Sequence, residues 1–551
     1  MDNSATAPSL GCRLRHFFEG DNYKKWVAMA VVLLLIYGAW ARFSLPQIPL
    51  TNKDTAGYIS PALTLLIKGF FESTHRNFPY PGFIWILLKA SGTFTSIAIA
   101  QHLLGLASGL IFWLAWLRLR CFLPSDWKIT ATHAVLGIIL VWSLLLSRHP
   151  IFFEHSMRPE AVYPFLMSLH ILCAANFLER SLIRKSIPIA FCWGTLMTTI
   201  SIALYVLKPI WGLALVSGGI PFLIALAISC GKWRILPFAA GAAGTAAGVA
   251  LFLFPDALIS SSHPQPVSLL SQQLFFVHAN LVDTELRRDL ASPNTPPFPR
   301  EILTSMSEEF QNGFSGKYKK PYKTLGFNPD DFIYGKADTI AERFFRGQPG
   351  GTDRFYRHYY MRTLTNQPLR MIGKILRELG VFYRCDGKLT RAGETLKLQL
   401  WYEESAEIFA GENYLYPLKI NEWKPYKDYM DAVRGIKVTD ESYHADLMMM
   451  FLSVANALYV IVLGLFLVAG FLWGRKRDPQ TGGLPLLWLG LWIFSYNFAI
   501  TLTVALVHSM SIQRYTDTQF ALTIFSFCAG IIILLSLLLV ATQPHQTRQP
   551  S

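Results

Sequence analysis

Apolar and polar positions alternate along this chain in blocks rather than residue by residue. Ten runs reach or approach the roughly 20 apolar residues that a helix needs to cross a bilayer core: 26–45, 94–117, 129–147, 161–178, 187–207, 210–229, 235–254, 447–473, 484–507 and 520–541. Inside lipid a backbone must satisfy its own hydrogen bonds, which leaves helices as the form these runs take. A polar stretch, 255–446, separates the first seven runs from the last three. The pattern predicts an all-α polytopic membrane protein of about ten transmembrane helices, with a mainly helical domain outside the membrane. Its segments are an amino-terminal piece at 1–25, a bundle at 26–254 with a first loop at 46–93, the domain at 255–446, three further helices at 447–541 and a tail at 542–551.

Composition agrees with this division. The 551 residues are 52% hydrophobic with a mean hydropathy of +0.32, too apolar for an ordinary soluble protein. The net charge of +14 first suggests nucleic acid, but the 255–446 segment holds 25 basic and 25 acidic residues, so the whole excess lies beside the apolar runs. That is where membrane proteins carry it, and no nucleic-acid partner is expected. The seven cysteines show no paired spacing that would indicate a disulfide framework or a zinc site.

Lys and Arg also set an orientation. With the amino terminus inside, the inside loops receive Arg13, Arg15, Lys24 and Lys25, then Arg118, Arg120 and Lys128, then Arg180, Arg184 and Lys185, then Lys232 and Arg234, and finally Arg475, Lys476 and Arg477. Both termini are then cytoplasmic, and the first run is a retained helix, since a polar stretch precedes it and no small-residue cleavage site follows. The outward side receives 46–93, 148–160, the turn at Lys208 and Pro209, the domain 255–446, and 508–519. Its short loops hold few cations, among them Lys53, Lys68, Arg76, Arg148, Arg158, Lys208 and Arg514. Headgroup contact explains such residues, and so does holding an anionic lipid phosphate.

In the first outward loop Ile59, Ala62, Leu63, Leu66 and Ile67 recur at helical spacing, which predicts a short helix on the membrane surface. Asp54 precedes it. A single acid there is ordinarily a solvated side chain or a helix cap. Two prolines and a glycine, Pro79, Pro81 and Gly82, stiffen the chain where it returns to the membrane. In the large domain, Thr352–Arg362 reads as one helix and Pro368 opens the next, whose Leu369, Ile372, Leu376 and Leu379 form a face expected to pack on its own domain. The proline-rich stretch Ser292–Arg300 reads as a mobile loop or lid edge.

The succession D-x-x-x-Y at Asp54 and Tyr58, then Ala62, Gly69 and R-x-x-P-x-P-G from Arg76 to Gly82, resembles the first loop of the GT-C glycosyltransferases. The likeness continues at Arg158-Pro159-Glu160, at Lys208-Pro209 and at Arg514-Tyr515; it covers the membrane portion and little of 255–446. The bacterial members it most resembles are similar to aminoarabinose, galacturonic acid and mannosyl transferases. The resemblance implies a GT-C-like fold in a bacterial inner membrane. It also implies an inverting enzyme that moves a hexosyl or pentosyl group from a polyprenyl-phosphate-linked donor to a lipid or glycan acceptor at the outer face. Only one acid stands in the first-loop motif, whereas some subfamilies carry an acidic pair, so no divalent metal or other cofactor is called for.

The chemistry asks for these residue types. An acceptor hydroxyl attacks the anomeric carbon while phosphate leaves, through an oxocarbenium-like state related to that of glycosidases. Phosphate departs as a stabilised anion, so one carboxylate base and a basic cradle suffice. Asp54 is the candidate base. Arg76, Arg158, Lys208 and Arg514 are candidate phosphate ligands, with Tyr58 and Tyr515 beside them. Glu160 is a second candidate acid, for the acceptor or for orienting the base; favourable charge at a helix amino terminus explains it equally well. Glu154 and His155, in the same loop, are weaker candidates, since an interfacial His is more often amphipathic packing. A lipid or glycan transporter or flippase would also show many spans with a few charges, and a non-catalytic assembly partner is the third reading.

Overall fold

The computed structural model describes residues 10–52, 54–71, 76–208, 213–228, 231–261, 269–317, 319, 321–322, 324–383, 398–411, 423–438, 445–476, 483–508 and 518–542. Arg514 and Tyr515, with Lys53, Pro209 and Arg477, lie outside the described residues.

Helix α1 (Leu10–Glu19) leads into α2 (Asn22–Phe43), and the next loop forms α3 (Thr55–Lys68) and α4 (Pro79–Ser91). Then come α5 (Thr95–Leu119), α6 (Trp127–Leu146), the short α7 (Arg148–His155), α8 (Tyr163–Leu178), α9 (Ile187–Leu207), α10 (Leu213–Ile228) and α11 (Ile235–Gly248), which runs through a π turn into α12 (Phe254–Ser261). The polar stretch holds α13 (Leu269–Val277), α14 (Ala279–Ala291), α15 (Arg300–Phe314), α16 (Asp330–Ile333), α17 (Lys336–Phe344), α18 (Gly351–Asn366), α19 (Pro368–Phe382), α20 (Leu398–Gly411) and α21 (Lys424–Gly435). The chain closes with α22 (Ala445–Lys476), α23 (Gly483–Val507) and α24 (Phe520–Thr542). Among the described residues the fold is helical, with one isolated bridge between Leu50 and Ser156.

Among the described residues, eight stretches are long and apolar enough to cross a membrane: Asn22–Phe43, Thr95–Phe122, Trp127–Leu146, Pro159–Ile183, Ile187–Leu207, Ile235–Leu258, Leu484–Val507 and Phe520–Val540. Two shorter apolar helices, Leu215–Ile228 and Leu458–Trp473, fall on the other two runs of the ten. This is the architecture of an all-α polytopic membrane protein. Helix α2 shows why the bundle suits lipid: Trp26, Leu33, Ile36 and Trp40 are exposed, while Gly38, Ala41 and Arg42 are buried inward.

The polar stretch divides its packing. From α13 to α18 it has its own aromatic core, built on Phe275, Phe276, Phe310, Phe332, Phe355 and Tyr359. Ser292–Arg300, expected to be mobile, is pinned instead. Arg300 donates to the carbonyls of Leu290 and Ser292, both at 2.7 Å, and Phe298 packs against Phe345, Phe355 and Tyr359. The later part joins the membrane bundle. Tyr402, Phe409, Tyr426 and Tyr429 of α20 and α21 belong to the bundle's core cluster. There they hold the entry to the first loop: Tyr402 donates to the Pro46 and Ile48 carbonyls, Tyr429 to that of Pro49, and Ser405 Oγ accepts the Thr51 amide at 2.9 Å.

Two local expectations change. Helix α3 is not a surface helix along its length: Thr55, Ala56 and Tyr58–Thr64 are buried, and exposure begins only toward Ile67 and Lys68. Helix α19 starts at Pro368, but Leu369, Ile372 and Leu376 do not pack on their own domain; they are 81%, 50% and 61% exposed. The buried face is Met371, Lys374, Glu378, Leu379 and Phe382, and it meets α23.

If α20 holds the first loop, Ser405→Ala removes the acceptor of a buried amide, at a cost of about 1–3 kcal/mol. Hydrogen exchange should then quicken at Thr51 while α14 stays as protected as before. Unchanged exchange at Thr51 would contradict the contact.

Candidate functional site

Asp54 occupies the N-cap position of α3, yet its side chain makes no capping hydrogen bond. The turn is closed by its neighbours. Asn52 Oδ1 accepts the Asp54 amide at 2.9 Å, the Asn52 amide donates to Thr55 Oγ1 at 3.0 Å, and the Thr55 amide donates to the Asn52 carbonyl. The carboxylate is therefore not needed as a cap. It faces two guanidinium groups, Arg76 Nη2 at 3.6 Å and Arg158 Nη2 at 3.7 Å. Both distances exceed the 2.7–2.9 Å of a direct charge-assisted hydrogen bond. Asp54 and Arg76 keep 30% of their side-chain surface exposed and Arg158 keeps 16%, so the group is sheltered but reachable.

Arg76 is held from below by Tyr58, whose ring centroid lies 4.7 Å from the guanidinium carbon, a cation–π contact. Gly57 lies beside it, where a Cβ would stand 3.3 Å from Arg76 Nε, a tight contact. Tyr58 meets Tyr80 edge to face at 5.5 Å, and Tyr80 donates to Gln101 Oε1 at 2.7 Å. Burial, and then the charge of Glu160, push the Tyr80 phenol well above its usual pKa, so Tyr80 is a neutral donor. The second half of the motif is tied down by Asn77, which donates to the Val206 carbonyl at 2.6 Å, and by the Phe78 amide, which donates to Asp256 Oδ1 at 2.7 Å. The first of these bonds brings Arg76 toward the end of α9, which Lys208 caps.

Lys208 Nζ lies 2.5 Å from Glu160 Oε1, and both side chains are largely buried. Two of the sequence candidates thus pair with each other. Asp54, Tyr58, Arg76 and Arg158 form one connected group, and Glu160 with Lys208 is joined to it through the Arg158-Pro159-Glu160 turn. Among these described residues two carboxylates, Asp54 and Glu160, stand against three cations, Arg76, Arg158 and Lys208. Glu160 also lines a small cavity of about 10 Å³ with Glu154, Pro150, Phe153, Thr518 and Phe520, room for about one water, which places the start of α24 at the same end of the bundle.

The interaction that sets this loop in place involves a residue outside the sequence candidates. Arg42, fully buried at the end of α2, holds Glu154 in a two-pronged bond, Nε to Oε2 at 2.6 Å and Nη2 to Oε1 at 2.7 Å. Its third nitrogen donates to the carbonyls of Leu145 at 2.6 Å and Gly38 at 3.0 Å. His102 Nδ1 lies 2.9 Å from Glu154 Oε2. A Cβ on Gly105 would collide with the Glu154 carboxylate, so glycine makes room for it. Burial disfavours the Glu154 carboxylate, yet Arg42 and His102 outweigh burial and hold its pKa below the usual value. Burial pushes His155 down to about 3; the ring is neutral, and its Nε2, 2.8 Å from the Pro46 carbonyl, is the nitrogen that carries hydrogen. One charge inside an apolar run, together with a Glu in the facing loop, was the available signal.

Among the described residues there is no group of three or more His, Cys, Asp or Glu side chains placed to hold a metal ion. No protein-family model, curated protein or solved structure matches this chain.

Arg42→Met leaves the Glu154 carboxylate buried without its partner and should cost about 3–5 kcal/mol in denaturant unfolding. Arg76→Met, in a half-exposed pair, should cost no more than about 1 kcal/mol. Equal losses would contradict this ranking. Because the Glu154 pKa is lowered on folding, its stabilisation is complete above the ordinary carboxylate value of 4.5 and is lost as pH falls through the folded value. Unfolding followed from pH 7 downward should show the wild type losing stability only on that acid side, and Glu154→Gln should lack that step.

Proposed function

We propose that this protein is a membrane glycosyltransferase. It moves a sugar from a polyprenyl-phosphate donor to an acceptor hydroxyl on a lipid or glycan, at the outer face of a bacterial inner membrane with both termini inside. The observation that carries the reading is the Asp54 carboxylate standing within 4 Å of both Arg76 and Arg158, at one end of a bundle of apolar helices. Such an end is where a lipid-anchored phosphate meets a water-soluble group. The likeness of the first-loop motif to GT-C enzymes supports the same reading.

In this mechanism the acceptor oxygen forms a bond to the anomeric carbon as the bond from that carbon to the phosphate oxygen breaks, inverting the configuration. The hydroxyl proton passes to Asp54. The electron pair of the broken bond leaves with the phosphate, whose growing charge Arg76 and Arg158 stabilise as preorganised donors. Their distance from Asp54 suits this role, since neither guanidinium is locked into a direct bond with the carboxylate and each can turn a face toward phosphate. Tyr58 supports Arg76 from beneath. Lys208, paired with Glu160, adds positive charge nearby, and Glu160 takes the acceptor side on the strength of the sequence motif. Arg514 and Tyr515 belong to the phosphate site on the strength of the sequence motif.

Purified protein in lipid vesicles should transfer labelled sugar from a polyprenyl-phosphate donor, and Asp54→Asn should lower turnover by about 10²–10⁴-fold with donor binding kept. Arg76→Ala and Arg158→Ala should weaken donor binding as well as turnover. Full activity in Asp54→Asn would sink the base assignment. Passage of an intact lipid-linked sugar across the bilayer, with no transfer, would point to a flippase.

A further inference from the structure

The amphipathic helix α19 has no place in the proposed chemistry, and its geometry is unusual for part of an extramembrane domain. Its inward face is fastened to a membrane span at two heights. Lys374 Nζ donates to the Ala505 carbonyl at 2.7 Å, and Tyr383, just past the helix end, donates to Asn497 Oδ1 at 2.6 Å. Phe382 packs with Val504, and the Tyr383 ring stacks on Tyr459 of α22 at 5.4 Å. Eight residues separate the two anchor points on α23, so the carboxyl end of α19 sits about 12 Å further along the span than Lys374 does. Asn497 itself is ten residues from the Val507 end, about 15 Å into a hydrocarbon core of roughly 30 Å.

A helix anchored this way descends beside the span rather than resting above it. The face turned away from α23 carries Leu369, Ile372 and Leu376 at the spacing of one helical stripe, all largely exposed, with Arg370 and Arg377 exposed alongside. On the spans it touches, Leu458 and Phe498 are exposed at comparable depth. The stripe therefore continues the apolar belt of the bundle. Long basic side chains beside such a stripe reach the phosphate level while their stems stay in apolar surroundings.

We infer that α19 is a membrane-inserted interfacial helix whose Leu369, Ile372 and Leu376 contact the acyl chains of the leaflet at the Asp54 end, with Arg370 and Arg377 toward lipid phosphates. The partner of this surface is the lipid bilayer. The large polar segment is then seated in the membrane at its middle, between the aromatic core of α13–α18 and the pair α20–α21 that holds the first loop.

The test uses the full chain in phosphatidylethanolamine–phosphatidylglycerol vesicles, with the photoreactive residue p-benzoylphenylalanine placed singly at Leu369, Ile372 or Leu376. Phe498 serves as the lipid-facing reference and the exposed Glu342 of α17 as the water-facing one. After irradiation, mass spectrometry should find phospholipid adducts at the three α19 positions at the level seen for Phe498, and none at Glu342. Absence of lipid adducts on α19 while Phe498 yields them would overturn the inference. Cross-links from α19 to a second copy, or to another segment of the same chain, in place of lipid would overturn it too. None of these readouts depends on sugar transfer.

Discussion

The buried pair between Arg42 and Glu154 is the contact on which the geometry of the site depends. A carboxylate removed from water is costly unless opposite charge and hydrogen bonds surround it, and Glu154 obtains both from Arg42 and His102. That requirement fixes α7 against α2 and α5. The chain that follows is bound residue by residue. Gln101 donates to the carbonyls of Glu154 at 2.6 Å and Ser156 at 3.0 Å, the Leu50 amide donates to the His155 carbonyl at 2.7 Å, and the Met157 amide donates to the Leu50 carbonyl at 3.0 Å. Arg158 and Glu160 come next, so their positions relative to Asp54 follow from a network centred on a different acid.

The site itself shows the opposite character. Around Asp54 the two arginine side chains keep part of their surface exposed and stand 3.6 and 3.7 Å from the carboxylate, whereas around Glu154 the charges are sealed and in contact. Rigid support beneath loosely paired groups is the arrangement a binding site needs: the frame holds donors in place, and the donors retain capacity for a ligand. The two acids of the 148–160 loop are both buried and directly paired: Glu154 is held by Arg42 and His102, and Glu160 by Lys208.

Much of this was legible from the residues because it rests on local rules. Apolar length predicted the spans, and the gathering of Asp54, Arg76, Arg158 and Lys208 on one side followed from counting crossings and basic loops. The remainder depends on contacts between distant parts of the chain. Arg42 is one charge in an otherwise apolar run, and nothing local marks Glu154 as its partner 112 residues away. Ser405 and Thr51 meet across 354 residues. Periodicity grouped Leu369, Ile372, Leu376 and Leu379 as one face of α19, but only Leu379 is buried, because a repeat of large apolar residues does not say which way a helix turns them. The proline-rich Ser292–Arg300 stretch was misread for a related reason: composition reports backbone preference and is silent on Phe298 filling an aromatic nest.

The claim that ties these features together is that the cations beside Asp54 hold a lipid-linked phosphate, and native mass spectrometry of protein purified in mild detergent tests it most directly. A bound polyprenyl phosphate or its sugar conjugate is expected, present in the wild type and in Asp54→Asn and lost when both Arg76 and Arg158 are replaced by Ala. Polyprenyl phosphate absent from the wild type, or retained unchanged when both arginines are gone, would contradict it.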